Sequence, residues 1–167
     1  MDSMRLNRFK FPRNKRELLS FVAHFGSRCA LGMTKCCLED VVLRAVRATR
    51  TDPSMARMLP VFLWRVQDQL DLEALTSKAG RDALVLGYFL DVSGRVSTST
   101  RFRPVVRVLR RRATNSRPVF LFTKIQDHPF EAMVAQERTP PHARRWGLLT
   151  GVGLDSFANY FNKVASL

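Results

Sequence analysis

The stretch "GRDALVLGYFLDVSG" (residues 80–94) carries the strongest amphipathic helical pattern in this sequence of 167 residues. Apolar residues that recur every three or four positions predict one buried face of a helix. The apolar stripe consists of Leu84, Val85, Tyr88, Phe89 and Val92. Because Ser93 and Gly94 are typical of a helix end, we predict a core helix that closes there.

The segment before this helix contains clear helix start signals. In "TDPSM", Asp52 is a suitable cap for a helix whose first position is Pro53. The apolar period then continues through Leu70, and Pro60 is expected to kink this helix or to mark a second start within it. Asp71 begins a further short helix.

The N-terminal part of the chain is predicted to hold a basic arm and two helices. Residues 1–13 form the arm, in which aromatic and basic residues alternate. Asn14 and Glu17 form a pattern like a capping box, and the helix that they start ends at Gly26. A second helix is expected from residue 34 to residue 50.

The C-terminal part is also predicted to be mostly helical. Short helical patterns cover residues 130–136 and 141–149, and Asp155 is a plausible cap for the last helix. The segment "RPVFLF" (residues 117–122) is the one place where a strand is expected. The fold predicted from these patterns is all-α: a single compact domain of about seven or eight helices over residues 14–167, with at most one short strand.

Length and composition fit one ordinary domain with a substantial core. Hydrophobic residues make up 46% of the chain, and there are twelve Phe, which argues against general disorder. No run approaches the roughly 18 apolar residues that a membrane span requires. The basic N-terminus lacks the apolar segment of a secretory signal, so we expect a cytoplasmic protein with no membrane partner.

Positive charge is the most unusual property of the chain. The net charge is +14, with 22 Arg and 6 Lys, and a charge of this size favours nucleic acids or acidic proteins as partners. The stretch "RFRPVVRVLRRRATNSR" (residues 101–117) contains seven arginines and no acidic residue. One alternative is that these arginines only keep the surface soluble, or reflect a codon preference for Arg.

The arginine-rich stretch is predicted to be one side of a packed helix. Pro104 begins that helix, and its inward side carries Val105, Val106 and Leu109. The predicted partner-binding residues, for an acidic protein or for phosphate, are Arg107, Arg110 and Arg111 on the outer side, then Arg44 and Arg47, with Arg8, Lys10 and Arg13 of the arm as an accessory clamp.

No catalytic constellation is evident in the sequence. Gly26 and Ser27 precede Glu39 and Asp40 in a way that superficially resembles the entrance of a nucleotidyltransferase site. However, adjacent residues of a helix point about 100° apart and converge poorly on one metal ion. The three histidines are far apart from one another, and no phosphate-binding glycine loop is present. We therefore predict a protein that is not an enzyme and has no cofactor.

The three cysteines are clustered but do not have the spacing of a metal site. Cys29, Cys36 and Cys37 lie near His24, and adjacent cysteines rarely both reach one zinc ion. An odd number of cysteines without a secretory signal is typical of reduced thiols. No metal site is predicted.

Two segments resemble a known class of proteins. The sequences "DPSMARMLPVFLWRVQDQLDLEAL" (residues 52–75) and "DALVLGYFLDVSGRV" (residues 82–96) resemble small bacterial antitoxin proteins that are paired with nucleotidyltransferase-type toxins. The resemblance implies a non-enzymatic protein that neutralises an acidic toxin by direct binding. It assigns no functional residue. The arginines would then cover the acidic mouth of the toxin through charge-assisted hydrogen bonds.

The alternative function is that of a nucleic-acid-binding accessory or regulatory protein. Basic clusters on one face would contact phosphates without sequence specificity, and binding would fall steeply with salt. Recognition of bases through residues 80–94 is not expected, because this helix is apolar and carries Asp82 and Asp91.

Overall fold

A computed structural model describes residues 37–113 and 117–165 of the chain. The basic arm predicted at residues 1–13 and the helix predicted from Asn14 lie outside this part. Cys29 and Cys36 lie outside it as well.

Within the described residues the chain forms eight α-helices, two short 3₁₀ helices and one pair of very short strands. The all-α prediction is therefore confirmed. None of these helices is both long enough and apolar enough to cross a membrane. In chain order the elements are α1 (Leu38–Thr49), α2 (Pro53–Val66), α3 (Leu72–Lys78), a 3₁₀ helix (Gly80–Asp82), α4 (Ala83–Ser97), α5 (Arg103–Ala113), β1 (Val119–Phe120), a 3₁₀ helix (Thr123–Asp127), α6 (Pro129–Arg138), α7 (Pro141–Arg144), β2 (Leu148–Leu149) and α8 (Leu154–Ala165).

The centre of the fold is α4, which contacts α1, α2, α5 and α8. Every residue from 85 to 90 is buried, so the helix is apolar on nearly all sides rather than on one stripe. Leu86 and Leu90, which lie off the predicted stripe, are fully buried, whereas Leu84 on the stripe is half-buried. Because other helices surround α4, residues that an amphipathic pattern would place in solvent are buried.

The helix α4 extends beyond its predicted end at Ser93 and Gly94. It continues to Ser97, and Thr98 adopts a left-handed conformation with φ of 57°. The hydroxyl of Ser93 is buried and donates to the carbonyl of Pro60 at 2.8 Å, so this serine joins two helices. The next loop crosses α4 at Gly94. A Cβ at this position would lie 3.2 Å from the carbonyl oxygen of Ser99.

The predicted cap at Asp52 is confirmed, and Asp71 begins a short helix as predicted. The Asp52 carboxylate accepts from the backbone N–H groups of Ser54 at 2.9 Å and Met55 at 3.4 Å. Asp71 caps α3 in the same way. The helix α2 passes through Pro60 without a second start and ends at Val66.

The C-terminal part differs most from the sequence-based prediction. The helix expected over residues 141–149 ends at Arg144, because Gly147 takes a φ of 66° and turns the chain into β2. The strand β2 pairs in parallel with β1, which lies inside the segment predicted as a strand. The helix α8 begins at Leu154, so Asp155 lies in its first turn instead of capping it.

At Gly87 the helix α4 lies very close to its neighbours. A Cβ at this position would lie 2.5 Å from Cη2 of Trp146 and 3.1 Å from Cβ of Leu109. Trp146 and Leu109 are both fully buried. The absence of a side chain at Gly87 therefore lets an indole ring and the helix α5 pack on the same turn of α4.

We expect Gly87→Ala to destabilise the fold. The added methyl group meets the rigid indole of Trp146, so helices or side chains must shift, and overpacking of this kind reduces the free energy of unfolding by about 1–3 kcal/mol. Chemical denaturation followed by circular dichroism measures the change.

The matched control is Gly153→Ala. A Cβ at Gly153 has no neighbour within 4 Å, so we expect a change within about 0.5 kcal/mol, as for surface substitutions in general. Equal stability of Gly87→Ala and wild type would show that Trp146 does not pack on this turn.

Candidate functional site

The helix α5 packs on the core through a narrow apolar side. Leu109 is fully buried, and Val105 and Val106 are half-buried against the core. All five arginines of the helix are exposed. Arg107, Arg110 and Arg111 thus lie on the outer side, where the helical pattern places them.

A fourth arginine belongs to the same side. The helix begins at Arg103 instead of Pro104, so Arg103 precedes Arg107 and Arg111 by four and eight positions on one face. Arg103, Arg107, Arg110 and Arg111, called the arginine face below, line one shallow hollow together with Val106. The sequence pattern does not include Arg103 because it predicts a helix that begins at Pro104. A start one residue earlier places Arg103 four positions before Arg107, on the same face of the helix.

Charge on the arginine face is not balanced within its own helix. The helix α5 has no acidic residue. Like charges four positions apart on a helix destabilise it by about 0.2–0.5 kcal/mol per pair. Arg110 and Arg111 lie in the last turn, where cations interact favourably with the helix dipole, but Arg103 and Arg107 do not have this advantage. An anionic partner would relieve the repulsion.

Arg44 and Arg47 lie on α1 in surroundings of mixed charge. They line a separate hollow together with Asp40 and Leu43. The Nε of Arg47 donates to Oδ2 of Asp82 at 2.6 Å, which neutralises part of the positive charge. The helix α3 contacts both α1 and α5, so the two basic groups flank this short helix.

Glu39 and Asp40, the carboxylates tested for a metal site, have separate structural contacts. Oε1 of Glu39 accepts from the backbone N–H of Asp71 at 2.9 Å, and Glu39 is buried. Asp40 forms an ion pair with Lys78 at 3.0 Å. These contacts tie α1 to both ends of α3. In residues 37–113 and 117–165, no three His, Cys, Asp or Glu side chains are grouped as a metal site requires.

Cys37 is the one cysteine inside the described part of the chain. Its thiol donates to Glu39, and the Nζ of Lys78 lies 3.6 Å from its sulfur. Burial and the hydrogen bond to Glu39 raise the pKa of the Cys37 thiol. A raised pKa keeps the thiol protonated at neutral pH, which is typical of a structural cysteine.

A group of polar side chains lies between α4 and α7. The rings of Tyr88 and His142 stack in parallel, with centroids 5.9 Å apart. The neighbouring Asp91 accepts from Nε1 of Trp146 at 3.0 Å and from Nε of Arg95 at 2.9 Å. Oη of Tyr88 and Nε2 of His142 are buried, and neither forms a hydrogen bond within the described residues.

The surroundings of this group shift two pKa values. Burial, together with the negative charge of Asp91, raises the pKa of Tyr88 far above its usual value. Burial and the positive charge of Arg95 lower the pKa of His142 below 6.5, although Asp91 opposes the shift. His142 is therefore neutral at physiological pH.

We expect stability to decrease as the pH falls through 6.5, the ordinary pKa of histidine. Below that pH the unfolded chain takes up a proton that the folded state resists at His142, so protonation favours unfolding. His142→Phe keeps the stacked ring and removes the titration. We expect this variant to show a flatter loss of melting temperature between about pH 7 and pH 5 than wild type.

The control is His128→Phe, which makes the same substitution at an exposed position and separates the loss of the His142 imidazole from the general effect of an added phenylalanine. Identical pH profiles for His142→Phe and wild type would contradict the assignment of this pH dependence to His142.

The structure brings together only part of the predicted site. Arg107, Arg110 and Arg111 share one hollow, whereas Arg44 and Arg47 line another. Arg8, Lys10 and Arg13 lie outside the described residues. Comparisons of the chain with protein-family models, with curated proteins and with solved structures found no match, so function has to be inferred from charge and geometry.

Proposed function

We propose that the protein is a non-enzymatic binding protein whose arginine face docks on an acidic surface of another protein. The observation that carries this proposal is the alignment of Arg103, Arg107, Arg110 and Arg111 around one hollow on a helix without acids. Arginine is suited to this role because its planar guanidinium pairs with carboxylates through two parallel hydrogen bonds.

The size of the arginine face favours a protein over nucleic acid. From Arg103 to Arg111 the helix rises about 12 Å. A nucleic-acid-binding protein commonly uses about 6–10 phosphate contacts, which need a longer basic surface. Of the other predicted basic groups, the arm lies outside the described residues, and the group on α1 is mixed with Asp40 and paired with Asp82. Within the described residues, α1 therefore adds little to such a surface.

Apolar contact also favours a protein partner. Val106 is half-buried in the hollow between the arginines, and Val108 on the same helix is 44% exposed. Protein interfaces are enriched in arginine, and their buried centres are more apolar than the rest of the protein surface.

The more specific form of the proposal is an antitoxin that covers the acidic active-site mouth of a nucleotidyltransferase-type toxin. It is supported by the resemblance of residues 52–75 and 82–96 to antitoxin proteins. In the fold these segments contain α2, the first half of α3 and most of α4, whose residues are largely core. The resemblance thus concerns the scaffold, and the arginine face lies outside it.

The proposal is tested by capture of the C-terminally tagged protein from its native cells after nuclease treatment. We expect one acidic protein in near-stoichiometric amount. If that protein has nucleotidyltransferase activity that the captured complex suppresses, the antitoxin form is supported as well. If instead nucleic acid is the only material that co-elutes before nuclease treatment, the nucleic-acid-binding alternative replaces the proposal.

We expect the triple variant Arg107→Glu, Arg110→Glu and Arg111→Glu to lose the partner. Each charge-assisted contact contributes about 1.5–3 kcal/mol, so reversal of three should weaken binding by more than about a hundredfold. Surface plasmon resonance with the captured partner measures the change. The variant Arg107→Gln, Arg110→Gln and Arg111→Gln removes the charge without placing acids at the helix C-terminus, and it should also bind weakly.

The matched control reverses three exposed arginines elsewhere, with the substitutions Arg57→Glu, Arg81→Glu and Arg145→Glu. It produces the same change in net charge and should retain binding within a few-fold. Equal losses for both triple variants would mean that total charge, and not the arginine face, determines binding, and the proposal would then be wrong.

A further inference from the structure

A second hollow lies at the N-terminal end of the arginine face. It is formed by the last turns of α4, the loop of residues 98–102 and the first turn of α5, and its volume is about 430 Å³. This volume is within the range of small-molecule sites. Arg95 comes from α4 and Arg103 from α5, while Thr98 and Ser99 come from the loop.

Arg95 is held in position by its neighbours. Its Nε donates to Oδ1 of Asp91 at 2.9 Å, and Oδ2 of Asp91 accepts from Nε1 of Trp146 at 3.0 Å. A guanidinium has five N–H donors, so the two terminal nitrogens of Arg95 are free to serve a ligand. Asp91 also lines the hollow, but both of its carboxylate oxygens already accept hydrogen bonds.

Thr98 is the residue of this hollow with an unusual backbone. It is the one non-glycine residue with positive φ in the described part of the chain, at 57°. A β-branched residue is strained in this region, where glycine or asparagine is usual. Strained residues that the surrounding structure maintains are concentrated at ligand sites. Thr98 lines the hollow together with Arg95 and Arg103.

The loop around Thr98 is fixed from both sides. The hydroxyl of Ser99 donates to Oε1 of Gln67 at 2.6 Å and accepts from the backbone N–H of Arg101 at 3.3 Å. Gly94 allows the carbonyl of Ser99 to approach α4. Ser99 therefore anchors the loop, and the donors that remain for a ligand are Arg95, Arg103 and the Thr98 hydroxyl.

We propose that this hollow binds the phosphate group of a small phosphate monoester. Two arginines from different helices and one hydroxyl provide donors for several phosphate oxygens, and the positive end of the α5 dipole lies beside them. The half-buried Val106 gives the hollow an apolar side, which suits the organic part of such a ligand. This site adjoins the docking surface of the proposed function and shares Arg103 and Val106 with it.

Isothermal titration of the full-length protein with AMP, inorganic phosphate and adenosine tests the proposal. We expect AMP to bind with a Kd of about 1 mM or tighter, phosphate to bind more weakly, and adenosine not to bind. AMP and phosphate of equal affinity would support the phosphate site and assign the ligand to the inorganic anion. No heat with AMP or phosphate at about 10 mM would overturn the proposal.

Three variants locate the site. Arg103→Gln should weaken AMP binding by at least about tenfold, which corresponds to one lost charge-assisted hydrogen bond. The control Arg101→Gln changes an exposed arginine two positions away that does not line the hollow, and it should bind within about twofold of wild type. Equal losses for both variants would also overturn the proposal.

Thr98→Gly distinguishes ligand binding from a purely structural role. Relief of the left-handed strain should raise the melting temperature, while loss of the hydroxyl should weaken AMP binding by several-fold. A stabilised variant with unchanged AMP binding would remove Thr98 from the site and contradict the proposal. Thr98→Gly should still capture the protein partner, so failure of this site and failure of the arginine face give different results.

Discussion

The close approach of Trp146 to Gly87 is the contact on which the positions of α5, Asp91 and Arg95 depend. The indole and Leu109 of α5 occupy the space that a side chain at Gly87 would fill. The contact holds the segment after α7 and the helix α5 against one turn of α4. The indole nitrogen then fixes Asp91, and Asp91 fixes Arg95. The missing Cβ at Gly87 therefore allows α5, the helix that carries the arginine face, to pack closely on α4.

Features that depend on neighbouring residues could be predicted from the sequence. Asp52 and Asp71 cap helices because an aspartate carboxylate accepts from backbone N–H groups two and three positions later. The exposure of Arg107, Arg110 and Arg111 follows from the helical period around Leu109. These interactions lie within one or two turns of the chain, so pattern alone defines them.

Features that depend on distant residues could not be predicted in this way. The end of α4 shifts from Gly94 to Ser97 because Gly94 faces the following loop instead of ending the helix. The strand β2 forms because its partner β1 lies nearly thirty residues earlier, in register from Val119 to Leu148. The bond between Asp91 and Trp146 joins residues 55 positions apart. Tertiary contacts decide each of these, and local propensity is only a weak guide to them.

The arginines of α1 and α5 lie on helices of different composition. On α1, Arg47 is paired with Asp82, whereas α5 itself contains no acidic residue. Exposed ion pairs contribute only about 0–1 kcal/mol to stability, so the charges of these side chains have little effect on the fold. The exposed arginines nevertheless form a concentrated positive surface on a helix that the buried Leu109 anchors. Since the packing of α5 requires only its three apolar residues, the fold does not determine the charge of its outer side. Under the proposed function, binding to an acidic surface would account for the arginines on that side.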